Sequence, residues 1–226
     1  MPPKCRARQA AGPDLLLTMA GGCMDAYSYL TRGQVFATGQ TGNFVLLAVH
    51  LARGDMSGVL HYLMPILLFW LGIFSAMHLR RRIFRGQPAR WQRMTLLAET
   101  GCFLLIGTLP GTVPDILVNA LISFCAAMQY SCFRTIGGGA YASIFCTGNM
   151  RSCVEQLYLG VVERDRCALS MGFRYLRVLG AFFVGVLLGV LFDLLFSLRS
   201  AWLICVLLLC AIPAVPADPV EQMSSK

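Results

Sequence analysis

Long apolar runs recur along this chain and are separated by short polar or basic segments. Four of the runs are uninterrupted and cover about residues 58–79, 94–109, 178–198 and 201–217. A bilayer core about 30 Å thick is crossed by a helix of about 20 apolar residues. We therefore predict a membrane helix in each of these four runs.

Two further apolar regions, about residues 14–52 and 116–160, are interrupted in the middle. The interruptions read TRGQVFATGQTGN and RTIGGGAYASIFCTGN, and both contain glycine, which tolerates non-helical backbone. Backbone that leaves the helix at membrane depth must be buried in protein or face a watery cavity, because lipid offers it no hydrogen bonds. We predict a discontinuous helix in each region, as one interrupted span or as a span plus a re-entrant hairpin.

The basic residues distinguish two topologies. If each interrupted region supplied two full spans, Lys and Arg would divide about nine to eight between the two sides. With six net crossings, the basic segments at 4–8, 80–93 and 164–177 all fall on the cytoplasmic side, as the positive-inside rule prefers. Three crossings per half also turn the second half upside down. The prediction is an all-α integral membrane protein with about six net crossings, two inverted repeats and cytoplasmic termini.

Composition supports a membrane protein. The 226 residues are 57% hydrophobic and 13% charged, with a mean hydropathy of +0.65. We expect a single transmembrane domain over residues 1–226, with halves at about 14–109 and 116–217, in the cell inner (plasma) membrane.

The net charge of +8 does not indicate nucleic acid as a partner, because most Lys and Arg residues flank apolar runs. The basic N-terminus lacks a clean apolar centre, so we expect it to stay attached.

Each interruption ends in Thr-Gly-Asn, at residues 41–43 and 147–149, which are 106 positions apart. A half-helix that begins there presents free amides with partial positive charge, and glycine lets a ligand or another backbone approach. Two such ends near the membrane midplane would form a site for a small polar or anionic solute, as in many secondary transporters. The alternative is structural: the same residues can cap a helix and let helices pack closely.

The candidate substrate-binding residues come from these motifs and from polar positions near them. They are Asp25, Gln40, Thr41, Gly42, Asn43, Gln129, Thr147, Gly148, Asn149 and Arg151.

Ionisable residues within apolar segments are costly and tend to be paired or functional. Asp25 precedes the first interruption and is our first candidate for a proton- or cation-coupling carboxylate, with Glu99 as the second. Arg151 and Glu155 are four apart on one helix and can pair there as a structural ion pair. In the functional alternative, Arg151 holds an anionic substrate beside Asn149 and Glu155 tunes the site.

The segments GGCMDAYSYLTRGQVFATGQTGNFVLLAVHLARGD and AAMQYSCFRTIGGGAYASIFCTGNMRSCVEQLYLG resemble the YoaK-type family of bacterial membrane proteins. The resemblance covers roughly residues 15–215 and implies a multi-span inner-membrane protein. It brings no substrate or activity with it. At 128–130 this chain has Met-Gln-Tyr where the family pattern resembles Met-Gln-Asn, so no role of that Asn carries over.

No catalytic motif or cofactor fingerprint is present, so we expect neither an enzyme nor a cofactor. The ten cysteines lack metal-ligand spacing and most are expected to be small apolar fillers.

Three classes remain: a small secondary transporter or channel, a membrane scaffold that uses its basic loops for anionic lipid or a partner, and an intramembrane thiol or metal enzyme. The last requires four cysteines to converge, at positions 125, 132, 146 and 153. Six crossings are few for a complete pathway, which makes a homodimer a further expectation.

Overall fold

The computed structural model describes residues 13–136, 139, 140, 144 and 146–216. The described residues form eight α-helices: α1 (Asp14–Thr31), α2 (Gln40–Ala52), α3 (Met56–Arg82), α4 (Pro88–Thr108), α5 (Asp115–Cys132), α6 (Thr147–Val162), α7 (Arg166–Phe196) and α8 (Ala201–Ala211). Short 3-10 turns, Ser197–Ser200 and Ile212–Ala214, flank α8, and two-residue strands β1 (Thr135–Ile136) and β2 (Gly139–Ala140) pair in antiparallel fashion. Apart from this pairing, the all-α prediction is confirmed.

The described residues of each predicted apolar run are helical, except for residues 109, 215 and 216. By length and composition, three of the described helical segments could cross a membrane: Met56–Arg82, Asp115–Cys132 and the continuous stretch Arg166–Ala214. That last stretch is bent at Ser197, whose φ of 49° lies in the left-handed region. α3 and α7 leave large apolar side chains exposed, including Phe74 and Leu194, at 71% and 76%. Such surfaces are suited to contact with lipid.

The order of helices repeats along the chain, and so do their partners. After a shift of 106 residues, the ranges of α1 to α3 overlap those of α5 to α7, and the range of α4 overlaps α8 with its flanking turns. α1 packs along α7, and its counterpart α5 packs along α3. α2 lies on α3, as α6 lies on α7. The two halves are therefore interlocked, because the first helix of each half packs against the third helix of the other.

Close approach of α1 and α7 depends on glycine. A Cβ on Gly22 would collide with the carbonyl oxygen of Phe182, and one on Gly185 with that of Met19. The Cys23 thiol donates a hydrogen bond of 3.0 Å to the Gly185 carbonyl. Small residues thus bring the two backbones into direct contact, as in other membrane helix pairs.

The contacts define two ends of the helix bundle. At the basic end, Arg80 and Arg134 line one cleft. Asp14 interacts electrostatically with Arg174. Arg93 donates a hydrogen bond of 3.4 Å to the carbonyl of Val215. The predicted basic loop, the 164–177 segment and the last described residues therefore share one end.

At the opposite end, the end of α1 meets both the start of α5 and the last part of α7. Arg32 pairs with Asp115, and the Thr31 hydroxyl donates to Asp193 at 2.5 Å. α1 and α7 therefore run parallel, with both C-terminal ends at this end of the bundle.

The turn from α2 to α3 also lies at the opposite end. The Asp55 carboxylate accepts hydrogen bonds from the Gly58 amide at 3.1 Å and from His50 at 2.8 Å. These bonds hold the pKa of Asp55 below its ordinary value. A lowered pKa means that this cap stabilises the fold above the unfolded-state pKa and is lost as pH falls through the folded-state pKa.

Candidate functional site

The first interruption lies between α1 and α2. The chain leaves α1 through Gly33 and Gln34, whose φ values are 80° and 62°, and becomes helical again at Gln40. Positive φ is accessible to glycine at little cost, which explains why the helix ends there. Because His50 near the end of α2 lies at the opposite end of the bundle, residues 33–52 enter the bundle and return to the same end of it.

Asp25 on α1 faces the inner part of this interruption. Its two carboxylate oxygens accept hydrogen bonds from the backbone amide of Thr38 at 3.0 Å and from the Thr38 hydroxyl at 2.7 Å. Thr38 is fully buried, whereas Asp25 is partly buried. A carboxylate on an apolar helix is thus held by one residue of the unwound segment.

The two interruptions meet at Thr38. Its hydroxyl oxygen lies 3.3 Å from the carbonyl oxygen of Ile144, and these residues are 106 positions apart. That spacing is the same as the spacing of the two Thr-Gly-Asn motifs. Contact between equivalent positions is expected beside an axis that relates two repeats. The hydroxyl has one proton, so Asp25 and Ile144 compete for it.

Other polar groups support the unwound backbone. The Ser28 hydroxyl accepts from the Ala37 amide at 3.3 Å, and the Ser123 hydroxyl donates to the Ala37 carbonyl at 2.8 Å. Asn119, one turn before Ser123 on α5, donates to the Arg32 carbonyl at 2.6 Å. These bonds satisfy groups that lipid could not.

The first Thr-Gly-Asn motif also provides hydrogen bonds to the unwound backbone. The buried Asn43 amide donates to the Phe36 carbonyl at 2.8 Å and to the Gln40 side chain at 3.0 Å, while Gln40 donates to the Ala37 carbonyl at 3.0 Å. The oxygen of the Asn43 amide has no hydrogen-bond partner among the described residues. Asn43 therefore caps unwound carbonyls and still has an acceptor free.

The other members of the two motifs occupy different surroundings. Thr41 is exposed and Gly42 is packed against Phe36. In the second motif Asn149 is buried, whereas Thr147 and Gly148 are exposed. Only the Asn of each motif points into the protein.

The remaining candidates do not gather around Asp25. Gln129 is fully buried and donates to the Leu17 carbonyl at 3.2 Å, toward the basic end. Glu99 is 2% exposed and lies near Cys102, with neither oxygen hydrogen-bonded among the described residues. Arg151 and Glu155 pair at 2.7 Å on the exposed face of α6, so they do not join the buried polar cluster.

Arg151→Gln is expected to leave the thermal unfolding midpoint within about 2 °C of wild type. The Arg151 side chain is 81% exposed and its pair with Glu155 spans one helical turn, so solvent or lipid headgroups replace the lost contact. Thermal unfolding in detergent measures the midpoint of the variant and of the wild type. A drop of about 5 °C or more would contradict a surface pair.

Sequence reasoning missed Thr38, Ser28, Asn119 and Ser123. Thr38 lies within the first interruption, three residues before the Thr-Gly-Asn motif. Asn119 and Ser123 are four apart on a largely apolar helix and therefore share a face. This spacing could have predicted that the face packs against polar groups.

The cysteines separate into different clusters. Cys125 belongs to the main core, whereas Cys153 packs with Tyr175 on the α6 and α7 interface and donates to the Gly172 carbonyl at 3.5 Å. Within the described part of the chain, no group of His, Cys, Asp or Glu is arranged to hold a metal ion. The convergence that a thiol or metal site requires is not found among these residues.

Two cavities lie at the two ends of the bundle. One, of about 580 Å³, opens at the basic end, and the other, of about 550 Å³, is lined by His50, His61 and Asp115 at the opposite end. Neither is lined by Asp25, Thr38 or Ile144.

Comparison with known proteins places the chain in a family. A family model described as "Protein of unknown function (DUF1275)" matches residues 15–214. The chain belongs to this family. The UPF0700 transmembrane protein YoaK of Bacillus subtilis (strain 168) is 24% identical to this chain over 148 residues, 63% of this chain and 64% of that protein. The match thus spans less than two thirds of that relative. No solved structure matches.

The match to DUF1275 and the similarity to YoaK together confirm the YoaK-type resemblance. Together with the apolar helices, the transmembrane relative supports a membrane location.

Proposed function

We propose that this protein is a small secondary transporter or channel for a small polar or anionic solute. The observation that carries the proposal is the Thr38 hydroxyl, which lies between the Asp25 carboxylate at 2.7 Å and the Ile144 carbonyl at 3.3 Å. Two interrupted segments thus converge on an ionisable side chain within the helix bundle. Transporters of this plan place substrate and coupling ion where discontinuous helices meet.

The proposed topology has six crossings, by α1, α3, α4, α5, α7 and α8, with α2 and α6 as re-entrant half-helices. The repeated helix partners and the basic segments gathered at one end support two inverted halves and cytoplasmic termini in the inner membrane. In this arrangement α2 and α6 enter from opposite sides and begin near the contact of Thr38 with Ile144. Their N-terminal amides then supply partial positive charge for a solute.

Within this proposal Asp25 is the coupling group, and the free Asn43 oxygen accepts a hydrogen bond from a donor group of the solute. A proton on Asp25 would turn one of its oxygens from an acceptor into a donor, which loosens its bonds to Thr38. The Thr38 hydroxyl can then donate to the Ile144 carbonyl instead. Protonation of Asp25 is therefore linked to the contact between the two interrupted segments. Arg151 and Glu155 have no part in this site, and Glu99 is a second buried carboxylate apart from it.

Flux into proteoliposomes tests the proposal, with a panel of small anions and polar solutes and a pH-sensitive dye inside. Asp25→Asn is expected to lower flux about tenfold or more, because the amide cannot exchange a proton. Glu163→Gln is the matched control, since Glu163 is exposed beyond the end of α6, and it is expected to retain flux. Undiminished flux in Asp25→Asn, or in Asn43→Ala combined with Asn149→Ala, would reject the site.

The alternative is a membrane scaffold that transports nothing. It is favoured by the cavities at the two ends, neither of which reaches Asp25, and by the capping bonds of Asn43 and Gln40. A wild-type protein that is folded in proteoliposomes and moves no member of the panel supports this second function.

A further inference from the structure

The cavity at the basic end, here called the arginine cleft, is lined by Arg80, Arg81, Arg85 and Arg134 and encloses about 580 Å³. These four arginines come from three places: the last turn of α3, the loop before α4, and the segment after α5. Among the described residues, no acidic side chain lines the cleft. Four arginines on one cleft, with no carboxylate among its described lining residues, favour an anion with several oxygens, because each guanidinium can donate two parallel hydrogen bonds.

Ser131 gives the cleft a buried polar wall. Its side chain is 4% exposed, and its hydroxyl has no hydrogen-bond partner among the described residues. Its carbonyl accepts a hydrogen bond of 3.1 Å from Nε of Arg134, which anchors that arginine beside the cleft. A buried hydroxyl without a partner is costly unless something bound there supplies one.

The apolar part of the cleft indicates what carries the anion. Ala76, Met77 and Phe84 line it together with the arginines. Met77 is 40% exposed and continues into the apolar outer face of α3, where Phe74 is 71% exposed. A ligand that fits both parts has an anionic head at the arginines and an acyl chain along α3.

We propose that the arginine cleft binds the phosphodiester headgroup of an anionic phospholipid, with its acyl chains along the outer face of α3. Basic pockets between membrane helices at the cytoplasmic surface bind such lipids by charge and hydrogen bonding. The cleft lies at the end of the bundle that gathers the basic segments, where anionic headgroups of the cytoplasmic leaflet would stand. The site is separate from Asp25 and requires no transport activity.

Native mass spectrometry of the full chain in neutral detergent, titrated with phosphatidylglycerol or phosphatidylcholine, tests the proposal. The wild type is expected to bind phosphatidylglycerol about tenfold or more tightly than phosphatidylcholine. Arg81→Gln combined with Arg134→Gln is expected to remove that preference. Ser131→Ala, which deletes only the hydroxyl, is expected to weaken phosphatidylglycerol binding about threefold or more.

The matched control is Arg164→Gln combined with Arg166→Gln, which removes the same charge from exposed positions beside the start of α7 and outside the cleft. It is expected to bind phosphatidylglycerol within about twofold of wild type. Equal loss in the control would overturn the proposal in favour of general surface charge. Displacement of the lipid by millimolar inorganic phosphate, or no preference for phosphatidylglycerol in the wild type, would overturn it as well. Unfolding midpoints within about 2 °C of wild type exclude misfolded variants.

Discussion

Gly185→Ala is expected to lower the thermal unfolding midpoint strongly, whereas Gly180→Ala on the same helix is expected to preserve or raise it. A Cβ on Gly185 would overlap the carbonyl oxygen of Met19 and lie 2.7 Å from its Cα, so α1 and α7 must move apart. Overpacking of this kind costs about 1–3 kcal/mol and occasionally more. A Cβ on Gly180 meets nothing within 4 Å, so alanine adds only its better helix propensity, up to about 1 kcal/mol.

The two variants therefore differ by about 1–4 kcal/mol, or roughly 2–16 °C in unfolding midpoint for a chain of this size. Size-exclusion chromatography after heating in detergent measures both. Wild type is compared in the same detergent, because micelles change the absolute midpoint. Equal midpoints for the two variants would mean that α1 and α7 do not pack through Gly185.

Much of the fold could be predicted from periodicity and charge. The apolar runs predicted helices because membrane helices need long apolar stretches, and the glycine-rich interruptions predicted where helices end. The spacing of 106 residues, read from two short motifs, is also the spacing of Thr38 and Ile144, which touch in the structure. The distribution of Lys and Arg predicted that the basic segments lie on one side, and in the structure their contacts lie at one end of the bundle.

Helix partners could not be predicted in the same way. α1 packs along α7 and not along its sequence neighbour α2, because the fit of Gly22 and Gly185 depends on surfaces far apart in the chain. Most helices here are apolar on several faces, since lipid and protein both accept apolar side chains. Hydropathy alone therefore cannot tell which face meets protein and which meets lipid.

The positions of the candidate site residues were predicted in part. Asp25 and Asn43 do lie at the first interruption, as expected from their positions. Arg151 was assigned to the same site as Asn149, but residues two apart on a helix do not share a face. Asn149 is buried with Cys153 one turn later, which leaves Arg151 exposed with Glu155. Helical geometry applied to that single helix would have separated the two pairs.

Asp115→Asn is expected to destabilise the protein by about 3 kcal/mol, near the lower end for breaking a buried ion pair. Arg32 is fully buried where α1 ends, with Nη1 3.6 Å from the Asp115 carboxylate and Nε donating to the Tyr27 hydroxyl at 3.1 Å. Its Nη2 has no partner among the described residues, so Asp115 supplies the countercharge. Because Asp115 is 40% exposed, solvent moderates the loss.

A double-mutant cycle with Arg32→Met distinguishes the buried charge from simple loss of a side chain. In the Arg32→Met background there is no guanidinium left to neutralise, and the partly exposed Asp115 can be hydrated, so Asp115→Asn should then cost less than about 1 kcal/mol. The coupling energy is therefore expected to be about 2 kcal/mol, measured by unfolding in detergent at neutral pH. The same cycle at Arg151 and Glu155, both exposed, should give no more than about 0.5 kcal/mol. Additive effects at Arg32 and Asp115 would instead mean that Tyr27 and the backbone around Arg32 hold its charge without the carboxylate.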